Sequence, residues 1–270
     1  MKKTIAAVLC LIMCVGVLAG CGKTETENQT QAGTAPAQEN AEKLSIVTTI
    51  FPVYDWVRQL LGDNAGFADV DMLLDSGVDL HSYQPTADDI IKISACDMFI
   101  YVGGESDEWV EDALSEATNK DMVVINLLES LGDIVREEEV KEGMEGEHEA
   151  EHEDEHGEEE EGPEYDEHVW LSLKNAALLC ETIAAGLCEI DAENTELYSA
   201  NKNTYVAELH ALDEKYKNAV DTASVKTLVF GDRFPFRYLV DDYGLDYYAA
   251  FVGCSAESEA SFETIVFLAD

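Results

Sequence analysis

Two histidines stand in loops beside acidic residues. His81 lies in Gly77-Val78-Asp79-Leu80-His81-Ser82-Tyr83-Gln84-Pro85-Thr86, and His168 in Asp166-Glu167-His168-Val169-Trp170-Leu171. Three more, His148, His152 and His156, recur at four-residue spacing in a glutamate-rich run just upstream of His168. Imidazole nitrogen and carboxylate oxygen are donors that zinc takes in tetrahedral sites, and histidine-rich tracts bind it for that reason. Metal binding is therefore the chemistry these residues suggest. Taken singly, a loop histidine also fits a surface group or a structural hydrogen-bonder, and a glutamate run also fits plain solvated charge. The residues alone leave both roles open.

The elements around these loops follow an alternating pattern. Residues 44–50 read as a buried strand. Pro52 then opens a helix with Val53, Trp56, Val57, Leu60 and Leu61 on one face and Gly62 at its end. Strands are expected at 70–74, 98–102 and 122–125. Thr86 is placed to cap a helix running through Cys96, with Asp88 and Asp89 in the first turn, where the helix dipole favours them. A further helix is expected from 109 to 118. Strands alternating with helices indicate a parallel sheet and an α/β lobe. His81 then falls in the loop after a strand, where α/β sheets bind ligands.

From Glu137 to Glu167 the pattern breaks. Eighteen acids, one lysine and no sustained apolar period predict a solvated loop without order. Order resumes at His168. Helices are expected over 175–190 and from Thr195 to about 221, the second long enough to cross a whole lobe. A second α/β set follows, with strands at 227–230 and 246–251, helices at 236–242 and from 259 onward. Two strands do not make a stable second lobe, so the chain is expected to be part of a longer protein.

The N-terminus speaks to compartment. Lys2 and Lys3 precede an apolar run, 5–18, of signal-peptide length and too short to span a bilayer. It ends in Leu18-Ala19-Gly20-Cys21, which resembles a bacterial lipobox. That resemblance implies removal of residues 1–20 and lipidation of Cys21, and so an extracytoplasmic protein held on the cell membrane. Residues 21–43 are polar and read as a flexible tether. The net charge of -41 excludes nucleic acid as a partner and suits a cation. Of seven cysteines, Cys96, Cys180, Cys188 and Cys254 remain beyond the N-terminal three, without CxxC spacing. Cys180 and Cys188 lie roughly 12 Å apart along a helix and cannot bridge. Small buried hydrophobes are the expected role of all four.

Several motifs together resemble the zinc- and manganese-binding solute receptors of ABC importers, the cluster A-I family. Thr48-Thr49-Ile50-Phe51-Pro52-Val53-Tyr54-Asp55 is similar to the family's first strand and helix start. Asp79-Leu80-His81-Ser82-Tyr83-Gln84-Pro85-Thr86 is similar to its D-P-H-x-Y-E-P-T motif, and Asp166-Glu167-His168-Val169-Trp170-Leu171 to D-P-H-x-W-L. Asp191-Ala192-Glu193-Asn194 with Tyr198, Asn201 and Tyr205 resembles the start of its interlobe helix, and 257–261 a later E-P-S segment.

The resemblance implies two doubly wound α/β lobes joined by one long rigid helix: an N-terminal lobe over 44–192, the helix over 193–222, and part of a C-terminal lobe over 223–270. It implies that a metal binds between the lobes, with His81 and His168 as the first two ligands, and that the loaded receptor docks on a permease driven by a cytoplasmic ATPase. A monomer is expected, and no enzymatic activity; the chain has no GxxxxGK[ST] run. At the family's third ligand position this chain carries Arg233, which stays protonated and cannot ligate a cation. Adjacent Asp232, or the 254–259 segment, is the alternative donor. The family's fourth, acidic ligand falls beyond residue 270. Imidazole donors and the histidine loop favour Zn2+; Mn2+ or iron, and a surface adhesin role, are the alternatives. A metal-dependent hydrolase would need a general base beside an open metal position, and no such pairing is visible in the sequence.

Overall fold

The computed structural model describes residues 43–75, 77–145, 164–254 and 260–270. Cys21, the leader and tether, His148, His152, His156 and residues 255–259 lie outside the described residues.

Strand β1 (Leu44–Thr48) is central to a four-stranded parallel sheet with β2 (Ala68–Met72), β3 (Met98–Tyr101) and β4 (Val123–Asn126), in the order β2-β1-β3-β4. Successive residues point to opposite faces, and both faces are covered. Ile46, Met98, Ile100 and Ile125 join one core; Val47 and Phe99 join another on the opposite side. Helix α1 (Phe51–Leu61), with Pro52 in its first turn, presents Val53, Trp56, Val57, Leu60 and Leu61 to the first core. Helix α2 (Ala87–Ala95) and helix α3 (Trp109–Ser115) supply Ile93 and Val110 to the second. The Thr86 cap is a full capping box: its side chain accepts from Asp89 N–H, and the Asp89 carboxylate accepts from Thr86 N–H. A short helix α4 (Leu127–Leu131), which the sequence pattern did not single out, follows β4 directly and buries Leu127, Leu128 and Leu131.

Helix α5 (Leu173–Ile190) is capped by Ser172, whose hydroxyl accepts from Asn175 N–H (3.1 Å). It lays Leu179, Ile183 and Leu187 into the first core. Helix α6 (Thr195–Thr222) has 28 residues and so spans about 42 Å. One part packs on the large sheet's helices, where Asn201 Nδ2 donates to Leu60 O (2.8 Å). Another meets the later elements: Tyr243 OH donates to Asp213 Oδ1 (2.8 Å), and Tyr216 stacks on Tyr243. Strand β5 (Thr227–Phe234), helix α7 (Arg237–Tyr243), strand β6 (Asp246–Val252) and helix α8 (Phe262–Ala269) complete the described chain. β5 and β6 pair in parallel around Phe234, Val240, Tyr247 and Ala249. β5 runs four residues past the expected end at 230, with its register shifting between Phe230 and Arg233.

The acidic segment departs from expectation. Composition predicts no order over 137–167, yet residues 137–145 and 164–167 have defined places. Glu138 N–H donates to Glu164 O (3.0 Å), Asp166 N–H to Arg136 O (2.9 Å) and Glu145 N–H to Ala250 O (2.8 Å). Met144 packs into the small sheet's core. The flanks of the run are thus paired with each other and with β6. Backbone pairing carries no compositional signature, so the charge density hid it. Among the described residues no helix is long and apolar enough to cross a membrane.

Candidate metal centre

Both histidine motifs fold by the same local device. Asp79 begins a single 3-10 turn, Leu80–Ser82, and its Oδ1 accepts from His81 N–H (3.1 Å); buried Leu80 anchors the turn. Asp166 Oδ1 likewise accepts from His168 N–H (2.9 Å) ahead of the 3-10 turn Val169–Leu171, anchored by fully buried Val169. A carboxylate two residues before each histidine therefore fixes the backbone that aims its ring. The two turns bring together histidines 87 residues apart in sequence, with His81 Nε2 3.4 Å from His168 Nε2.

The other ring nitrogens are engaged. His168 Nδ1 lies 3.1 Å from Asp166 Oδ1. His81 Nδ1 lies 2.8 Å from Ser106 Oγ and 3.5 Å from Glu167 Oε2. A neutral ring with its proton on Nδ1 can donate to these oxygens and leaves Nε2 unprotonated, the form that binds a metal. With the protons on Nδ1, the two Nε2 lone pairs face each other, an arrangement that a shared cation satisfies. Zinc–imidazole bonds of about 2.0–2.1 Å at the tetrahedral angle put their nitrogens about 3.3–3.4 Å apart, the separation seen. Carboxylates on the far side of ligating imidazoles orient them and raise their basicity. Burial tends to lower the His81 pKa, but the Glu167 carboxylate, with Asp79, outweighs it and holds His81 above its ordinary value.

The Glu167 side chain is itself fixed by a glycine. Gly104 has φ 80 and ψ -167, and a Cβ there would lie 2.4 Å from Glu167 Oε1. That oxygen accepts from Ser106 N–H (2.9 Å). Asp107 pins the same loop by accepting from Val102 N–H (2.9 Å) and Gly103 N–H (3.0 Å); burial pushes its carboxyl up to about 6.

A third donor-type side chain meets the pair. His81, His168 and Cys254 each offer a ligand atom, and these atoms lie within 4.8 Å of one another, the one such group among the described residues. Cys254 N–H donates to Glu138 Oε1 (2.9 Å). Burial and the Glu138 carboxylate push its thiol pKa up. Cys96 and Cys180 are buried as expected, whereas Cys188 and Cys254 are partly exposed and all four are free. For Cys254 the expected role as a buried hydrophobe does not hold, because the end of β6 delivers it to the histidines. Its signal in the sequence was its place just after a parallel strand.

Asp232 is exposed at the β5 irregularity, where its Oδ1 accepts from Arg233 N–H (2.8 Å); it is not part of the convergence. The Arg233 guanidinium lies 2.9 Å from Asp79 Oδ2 and so ties β5 to the His81 turn. Burial tends to raise the Asp79 pKa, but this pairing and the His81 N–H hold it below its ordinary value. A cavity of about 490 Å3 opens beside the histidines, walled by His81, Ser106, Glu138, Glu164, Glu167 and Cys254. A larger hollow of about 710 Å3 around Arg136 and Arg237 has no histidine or cysteine in its wall, so its size does not make it the metal site.

Comparison with known proteins agrees with this geometry. The family described as zinc-uptake complex component A, periplasmic, matches residues 46–270. The high-affinity zinc uptake system protein ZnuA of Bacillus subtilis is 32% identical over 261 residues, 97% of this chain and 75% of that protein. The zinc-binding lipoprotein AdcA of Streptococcus pneumoniae is 33% identical over 225 residues, 81% of this chain and 41% of its own length. Among solved structures, the Zn(II)-bound ZnuA-like domain of the Streptococcus pneumoniae AdcA superposes with a TM-score of 0.62 at 30% identity, over 83% of this chain and 73% of that one. With a parallel α/β sheet, a long connecting helix and two histidines converging at zinc spacing, the chain belongs to the periplasmic zinc-uptake complex component A family.

Proposed function

We propose that this protein is an extracytoplasmic receptor that captures Zn2+ between its two histidine-bearing turns and hands it to a membrane permease powered by a cytoplasmic ATPase. The observation that carries the reading is the pair of Nε2 atoms 3.4 Å apart, with the His168 ring held through Nδ1 by Asp166 and the His81 ring by Ser106 Oγ, the Glu167 carboxylate 3.5 Å behind it. Relatives named as a zinc uptake protein and a zinc-binding lipoprotein support the same cargo. The ion is cargo, so the site must release it as well as hold it. In this reading the protein is a receptor and performs no catalysis. Cys21 carries the lipid that keeps it at the membrane, and it works as a monomer.

Proton competition tests the site. Zinc binds the unprotonated ring, and Glu167 raises the His81 pKa above the ordinary value near 6.5. Affinity is therefore expected to be full well above that value. Below it, affinity should fall by up to about tenfold per pH unit for each histidine that must lose a proton. Calorimetric titration from about pH 7.5 to about 5.5 reads this directly. A flat profile excludes a histidine site.

The histidine run at His148, His152 and His156 is assigned the role of weak collector, raising local zinc beside the cleft. Deleting residues 146–163 spares the paired flanks Glu137–Glu145 and Glu164–Glu167. It is expected to leave one tight zinc site and remove only weak ones. Loss of the tight site on calorimetry would assign the run to the site itself.

A further inference from the structure

Two imidazoles do not complete a tight zinc site, and the third donor is open. At the position where the family resemblance leads one to expect it stands Arg233, a permanent cation engaged with Asp79 at 2.9 Å. Asp232 points its carboxylate at its own chain. The remaining donor that converges with both histidines is the thiol of Cys254.

The backbone around Cys254 is held from two sides. A Cβ on Gly253 would stand 3.1 Å from His168 Cε1 and Nδ1 and 2.9 Å from Phe234 O. Only a glycine lets the end of β6 pass this close to the imidazole. On the other side Glu138 Oε1 clamps Cys254 N–H at 2.9 Å. The thiol is free of any disulfide.

We propose that Cys254 is the third protein ligand of the metal, giving a His2Cys site in which the sulfur sets the preference for zinc over manganese. This rests on reading the His81–His168 cleft as a zinc site. Coordination forms a Zn–S bond and breaks S–H, the proton passing to solvent. A tetrahedral ion with Zn–N of about 2.0–2.1 Å and Zn–S of about 2.3 Å needs nitrogen–sulfur separations of about 3.6 Å. Separations of up to 4.8 Å close to that by roughly an ångström of side-chain movement. Two neutral imidazoles and one thiolate leave the ion a single net positive charge. Soft sulfur donors favour zinc, whereas manganese prefers oxygen.

Cobalt substitution tests the bond itself. The protein loaded with one Co2+ per chain is expected to show the near-ultraviolet charge-transfer absorption of a cobalt thiolate. Cys254→Ser and Cys254→Ala should lack it, and Asp232→Asn should keep it. Zinc affinity of Cys254→Ser should fall by more than about a hundredfold, beyond the 10–100-fold typical of an outer-shell change, while manganese affinity changes little. The wild-type spectrum needs no variant to fold, so it is decisive alone. A cobalt-loaded wild type without the band, or Cys254→Ser binding zinc as tightly as wild type, overturns the thiol. If His81→Ala loses zinc while Cys254→Ser keeps it, the thiol alone is wrong. If both variants keep it, the histidine reading fails as well.

Discussion

His81→Ala and His168→Ala are each expected to reduce zinc affinity by about a hundredfold or more. The size follows from sharing a typical tight-site free energy of about 10–16 kcal/mol among four ligands, about 3 kcal/mol each. Competition against a chelator of known affinity measures it. The two variants should differ in what else they disturb. His81 is partly exposed and its Nδ1 partner is the Ser106 hydroxyl, which water can satisfy once the ring is gone. Removing the His168 ring instead leaves the buried Asp166 carboxylate without its Nδ1 partner, although the His168 N–H still reaches it. An uncompensated buried carboxylate costs several kcal/mol less when one strong hydrogen bond remains than when none does, so a loss of about 1–3 kcal/mol in apo stability is expected for His168→Ala. Zinc should raise the thermal midpoint of the wild type and leave both variants nearly unmoved, because only a ligand that binds the native state stabilises it. Either variant retaining wild-type affinity would remove that residue from the site.

Gly104→Ala is expected to harm both stability and zinc affinity without touching a ligand. Its φ of 80 and ψ of -167 lie in a region that is essentially glycine's alone, at a cost of about 1–3 kcal/mol for any other residue. The added methyl would also occupy the place of Glu167 Oε1, displacing the acceptor of Ser106 N–H and the carboxylate behind His81. The expected outcome is about 2–4 kcal/mol of destabilisation with a 10–100-fold weaker site. Gly244→Ala is the matched control. Gly244 is left-handed at φ 63 and ψ 42, with open space around its Cβ position. It should lose about 1–2 kcal/mol and bind zinc normally. If Gly104→Ala loses only stability, Glu167 does not orient His81.

How much of this was legible in the sequence depends on the range of each interaction. The Thr86 cap, the Pro52 helix start and the strands of the large sheet are local, and periodicity reports them directly. The two histidine motifs are local as well, since each depends on an aspartate two residues upstream. Their meeting 87 residues apart is not local and was reached through family resemblance. The sequence marks the 254–259 segment only as one of two alternative donors, because what singles out Cys254 is non-local: its clamp, Glu138, lies 116 residues away inside an acidic run. That run read as featureless because charge density says nothing about backbone pairing to β6. Arg233 was recognised as unable to bind a cation, but its ion pair with Asp79 is a contact between separate loops that no spacing rule encodes.

The central claim is that zinc sits between His81 and His168. X-ray absorption at the zinc edge, on protein loaded with one ion per chain and lacking residues 146–163, tests it most directly. The account predicts imidazole scattering from two nitrogens at about 2.0–2.1 Å. A shell of oxygen atoms alone, with no imidazole contribution, would contradict it.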